Sequence, residues 1–142
     1  MKAATTKKRS GSCLCGAVRF EIEGPMRGVL ICHCGQCRKH HGHAAAFTST
    51  PMEKFRFLES QSLAWYRSSE GAERGFCRIC GSNLFWRRVG GGTLSVSAGS
   101  IDPPTGLSCA AHLFTAFKGD YYDIPKDGLE RHAEWMPPRL SQ

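Results

Sequence analysis

Seven of the chain's eight cysteines fall into three tight groups, Cys13-x-Cys15, Cys32-x-Cys34-x-x-Cys37 and Cys77-x-x-Cys80, with Cys109 alone. Thiols this closely spaced are metal ligands, redox centres or disulfide halves rather than core filler. The run "CRICGS" is the most diagnostic. Cys-x-x-Cys followed by Gly81 builds a zinc knuckle, in which a tight turn aims backbone N–H groups at the thiolates and glycine takes a conformation that side chains resist. Zinc takes four ligands, so Cys77 and Cys80 need a second pair. Cys13 and Cys15 are the natural partners, and one ion held by all four would pin the first strand to the middle of the chain. The rival, a thioredoxin-like redox pair, belongs in a βαβ setting, and no such pattern is present.

The stretch "ICHCGQCRKHHG" leaves Cys32, Cys34 and Cys37, an odd number for a closed site. Three protein ligands and an open fourth position let a metal do chemistry. Spacing alone does not exclude Cys109 as a fourth ligand, and eight cysteines divide evenly into two closed sites, which slightly favours that reading. His33, between two ligands, is expected to point away from the metal or into solvent, and His40, His41 and His43 to lie on the surface. Arg38 and Lys39, directly after the last ligand, are candidates to offset thiolate charge or to hold a carboxylate, as is Arg74. Two solvated cations on a short helix would explain Arg38 and Lys39 equally well.

Alternation supplies the fold class. "AVRFEIEG" sets Val18, Phe20 and Ile22 against Arg19, Glu21 and Glu23, the period of a strand with one buried face. "SLAWYRS" and "TLSVSAGSI" read likewise, with Leu63, Trp65, Leu94, Val96 and Ala98 inward. Further strands are expected at residues 44–48, 54–58, 83–88 and 110–117, separated by Gly, Pro and Ser turns. One short helix is expected from Cys34 to His41, stopping at Gly42, and a turn near 129–135. The chain therefore reads as a mostly β domain with metal-bearing loops. It spans residues 11–136, with a basic tail over 1–10 expected to be disordered and a short C-terminal tail over 137–142.

The formal charge of +7 raises nucleic acid as a partner. However, Lys2, Lys7, Lys8 and Arg9 sit in the expected tail, and seven thiolates on two zinc ions would bring the remainder near neutral. Basicity is thus partly the counterweight of thiolate charge, and a nucleic-acid partner is not expected. No run approaches the length needed to cross a bilayer. "MKAATTKKRSGS" has no apolar core, so no signal peptide is read and a reducing cytoplasm is expected.

Five segments in order, "GSCLCGAVRFEIEG", "CHCGQCRKHHG", "YRSSEGAERGFCRICGSNLFW", "VSAGSID" and "HLFTAFKGDYYDI", resemble the glutathione-dependent formaldehyde-activating enzyme (GFA) family, also called centromere protein V-like. The likeness runs from about Gly11 to Leu129. It implies twisted antiparallel sheets tethered by zinc-binding loops, a GFA-like, Mss-four-like fold. It implies structural zinc at Cys13, Cys15, Cys77 and Cys80 and catalytic zinc at Cys32, Cys34 and Cys37. The family pattern has no ligand at Cys109, which is then expected to be a small buried residue on a strand. The implied activity is a carbon–sulfur lyase reaction in which glutathione, the co-substrate, adds to formaldehyde. Where the family usually shows a Trp before the aromatic, this chain has "YYDI". The alternative function is a non-catalytic zinc-stabilised binding module for a protein or nucleic acid.

Overall fold

The computed structural model describes residues 7–140. A three-stranded antiparallel sheet in the order β1-β2-β5 is formed by β1 (Lys8–Ser12), β2 (Arg19–Glu23) and β5 (Phe55–Glu59). It faces an eight-stranded sheet of β3 (Val29–Cys32), β4 (Ala45–Pro51), β6 (Leu63–Ser69), β7 (Ala72–Cys77), β8 (Asn83–Arg88), β9 (Thr93–Ser97), β10 (Cys109–Leu113) and β11 (Glu130–His132). Its order is β11-β10-β3-β4-β9-β8-β7-β6. One helix, α1 (Gly35–His41), follows β3 directly.

The alternation read in the sequence is what closes the core. Phe20 and Ile22 on β2, with Val18 just before it, are fully buried against Leu84, Phe85, Leu94 and Val96 of the larger sheet. Phe20 and Phe85 meet edge to face at 5.4 Å between ring centroids, the geometry that aromatic quadrupoles favour. Each such side chain contributes about 1.5–3 kcal/mol by leaving water. Cys13 and Cys77 belong to the same buried cluster.

Several expectations need correction. The N-terminal tail is shorter than expected, because Lys8 and Arg9 open β1 and pair with Glu23 and Ile22 of β2; residues 1–6 lie outside those described. The C-terminal segment is also built in. Pro138–Leu140 forms a 3-10 turn, Leu140 packs on the second apolar cluster and its carbonyl accepts a bond from Arg27 Nη1 at 3.0 Å. The sheets are not wholly antiparallel, since β10 runs parallel to both β3 and β11. Strand β10 also stops early, at Leu113, because Phe114 turns the chain at φ 54°. Within the expected turn near 129–135 lies β11.

Cys109 is exposed rather than buried. It shares parity with the buried Ala111 and Leu113, but a register shift between Cys109 and Ala111 breaks the alternation. It pairs with Val29, at the end of β3 opposite Cys32.

Candidate metal centres

Two groups of thiols have ligand atoms that all lie within 4.8 Å of one another: Cys13, Cys15, Cys77 and Cys80, and separately Cys32, Cys34 and Cys37. None of the eight cysteines is in a disulfide.

In the first group Cys13 Sγ lies 3.6 Å from Cys15 Sγ, and Cys15 Sγ lies 3.8 Å from Cys77 Sγ. A tetrahedron with zinc–sulfur bonds of about 2.3 Å has edges of about 3.8 Å, so the spacing fits that ion. The local fold produces it. Gly81 takes φ +77° and donates its N–H to Cys77 O at 2.8 Å, closing the knuckle turn. Val18 N donates to Cys13 Sγ at 3.2 Å, as expected for a thiolate beside the entry to β2. A metal here joins the start of β2 to the end of β7.

In the second group Cys32 ends β3, Cys34 caps α1 by accepting from Cys37 N at 3.3 Å, and Cys37 lies on the helix. Gly42 at φ 80° ends the helix, as the sequence predicts. The thiols of Cys32 and Cys37 donate to Cys34 and hold its thiol far below the ordinary range, whereas Cys32 is pushed far up. Three thiols here cannot ionise together without a cation among them, and the donor set is one that zinc accepts. No fourth His, Cys, Asp or Glu joins this group among the described residues.

Arg74 is buried beside these thiols. Its Nη2 donates to Cys37 Sγ at 3.6 Å and to Gln36 Oε1 at 2.9 Å, and Nη1 donates to His41 Nε2 at 3.3 Å. Burial, with His40 and Arg74 nearby, lowers the His41 pKa to about 4, so it is a neutral acceptor at neutral pH.

The three cysteines open onto a cavity of about 450 Å³ on one face of the larger sheet. Arg74 lines it, but Arg38 and Lys39 do not; Lys39 is exposed on α1. The cavity brings in two cations that the sequence reading missed, Arg27 and Arg88. Phe114 also lines it, held in the left-handed region that non-glycine residues occupy only at a cost of about 1–3 kcal/mol.

Behind Cys32 runs a chain of hydrogen bonds, buried at His33 and His112 and reaching the surface at Asp127, that sequence reading missed entirely. Tyr122 Oη meets His33 Nδ1 at 2.6 Å, His33 Nε2 meets His112 Nδ1 at 2.9 Å, and His112 Nε2 meets Asp127 Oδ2 at 2.8 Å. With Asp127 as the terminal acceptor, His112 donates from Nε2, His33 donates to His112, and Tyr122 donates to His33. The bond from His112 holds the Asp127 carboxyl below its usual range. His33 does point away from the thiols, as expected, but into the protein rather than into solvent. His112→Ala would leave His33 Nε2 without its acceptor. A loss of about 1–3 kcal/mol is expected, read as a lower thermal midpoint with both metals retained.

The sequence model of the glutathione-dependent formaldehyde-activating enzyme family matches residues 8–117, which includes both thiol groups. The chain belongs to that family. An uncharacterised lyase of Schizosaccharomyces pombe is 36% identical over 84 residues, 57% of this chain and 58% of that protein. The match thus spans less than two thirds of the curated relative's length. A crystal structure of a Rhodobacter sphaeroides protein superposes with a TM-score of 0.51 at 26% identity, covering 68% of this chain and 91% of the other. Membership of the GFA family agrees with the mostly β architecture and with cysteine groups fit to hold metal. No helix among the described residues is long and apolar enough to cross a membrane.

Proposed function

We propose that this protein is a zinc-dependent carbon–sulfur lyase that joins a thiol, with glutathione as the co-substrate, to a small aldehyde such as formaldehyde, and reverses that addition. The observation that carries the reading is the incomplete ligand set: Cys32, Cys34 and Cys37 converge at a cavity with no fourth protein ligand among the described residues. In this reading Cys13, Cys15, Cys77 and Cys80 hold a structural zinc. Zinc held by three thiolates is a weak Lewis acid for making hydroxide but supplies a place where an incoming thiol loses its proton and stays nucleophilic at neutral pH.

The chain's own residues do the rest. Arg74 sits on Cys37 and offsets the thiolate charge that would otherwise repel an anionic nucleophile. The apolar wall of Phe47, Trp86 and Phe114 keeps water from competing for the aldehyde. In the addition, the sulfur lone pair forms the carbon–sulfur bond, the carbonyl π pair moves to oxygen, and that oxygen takes up from solvent the equivalent of the proton the thiol gave up, leaving the S-hydroxymethyl adduct, a hemithioacetal. Arg38 and Lys39 on α1 lie outside the cavity lining, so their part as glutathione contacts would be confined to its approach. Eight free thiols suit a reducing cytoplasm, which we take as the site of action.

Glutathione and formaldehyde combine without a catalyst, so consumption of reagents is a poor assay. The exchange rate between free glutathione and its hydroxymethyl adduct, followed at equilibrium by NMR, should rise with the metal-loaded protein and return to the uncatalysed rate after chelation. An unchanged rate would favour the binding-module reading.

A further inference from the structure

The cavity's charge does not balance internally. Three arginines line it and no Asp, Glu or Lys does. A zinc ion with three thiolates carries −1, and Arg74, on Cys37 Sγ, offsets it. Arg27 and Arg88 remain as surplus. Neither takes part in any ion pair among the described residues. Arg27 is held by neutral acceptors alone: Nε donates to Gly28 O at 3.3 Å, Nη1 to Leu140 O at 3.0 Å and Nη2 to Phe47 O at 3.2 Å. A guanidinium has five N–H donors, so two remain. Burial lowers the Arg27 pKa to about 10, the cost of keeping a cation there without an anion.

Register gives the reach. Cys32 pairs with Ala45 and Leu30 with Phe47, so the Phe47 carbonyl that anchors Arg27 lies one same-face step along the strands from Cys32. That step is about 7 Å. Between the thiols and the cations the wall is apolar, made by Leu30, Phe47 and Trp86. Arg88 is exposed at the cavity, next to the Gly91–Gly92 turn.

We propose that Arg27 and Arg88 form a carboxylate subsite that decides which thiols this cavity accepts: those carrying a carboxylate roughly one strand step from the sulfur, about 7–10 Å, and not short uncharged thiols. The inference rests on reading the three-cysteine cluster as a thiol-binding centre, and it names residues that neither composition nor motif singles out. Guanidinium bonds to carboxylate are charge-assisted and can be bidentate, so each arginine contributes specificity as well as affinity.

The test separates the subsite from the metal. S-Methylglutathione keeps both carboxylates but cannot offer a thiol, and its dimethyl ester lacks the carboxylate charges; 2-mercaptoethanol is a short uncharged thiol. By calorimetry on the two-zinc protein, S-methylglutathione should bind saturably and its dimethyl ester at least about tenfold more weakly. Arg88→Gln, at an exposed position, should weaken S-methylglutathione about tenfold with zinc content unchanged; Arg27→Gln should do at least as much. Arg27→Gln also takes the guanidinium away from three backbone carbonyls, so its thermal midpoint is measured alongside, and Arg88→Gln decides the matter if Arg27→Gln does not fold.

The proposal is overturned if wild type shows no saturable binding of S-methylglutathione, if Arg88→Gln binds it as wild type does, or if 2-mercaptoethanol perturbs the metal's absorption edge at the same concentration as glutathione. If arginine-dependent binding is found but glutathione leaves the metal's spectrum unchanged, the carboxylate subsite stands and the thiol–metal reading falls. The converse result keeps the metal reading and removes the subsite.

Discussion

Cys77→Ser is expected to abolish cooperative folding at room temperature. Cys77 is fully buried in the main core cluster, ends β7, and shares its thiol group with Cys13 and Cys15 at the entry to β2. Losing it removes a ligand from the ion that joins two distant parts of the chain and puts a hydroxyl into an apolar core. Structural zinc binding is itself folding free energy, of order 10 kcal/mol in small domains, and a domain's whole stability is about 5–15 kcal/mol. A loss of about 5 kcal/mol or more is therefore expected, seen as a collapsed unfolding transition by circular dichroism and loss of at least one zinc. A variant that melts within a few degrees of wild type would show that this group is not a structural staple.

Cys34→Ser should behave in the opposite way. Cys34 is the N-cap of α1 and accepts from Cys37 N. Serine is among the preferred caps, so the helix start survives the substitution. The second thiol group keeps two ligands and loses its hold on metal. The expected outcome is one zinc per chain instead of two, a thermal midpoint close to wild type, and adduct exchange at the uncatalysed rate. Retention of two zinc ions would mean that a donor outside the three cysteines completes the site.

What could be read from the sequence was local. Phe20 and Ile22 alternate with charged neighbours, and the strand they predict is present. Gly81 after Cys-x-x-Cys and Gly42 after the helix take the positive φ values their positions require. The three cysteine groups were legible because metal-ligand spacing is set within a turn.

Features made by distant contacts were not legible. Strand β7 carries Arg74 and Gly75 buried in succession, which breaks any alternation, because α1 covers one face and Trp65 and Phe85 crowd the other. His33 finds His112 across 79 positions and Tyr122 across 89. Arg27 reads as a loop cation after "GPM" until Leu140, 113 residues away, closes over it. Cys109 is lost to the surface through a register shift that no composition rule foresees.

The central claim is that the three-cysteine metal keeps a position for a substrate thiol. X-ray absorption at the zinc edge of the two-zinc protein tests it directly, because seven cysteines over two ions give about 3.5 sulfurs per zinc. With saturating glutathione the average should rise to about 4 sulfurs per zinc. An average of four before glutathione is added, or no change after it, would contradict the account.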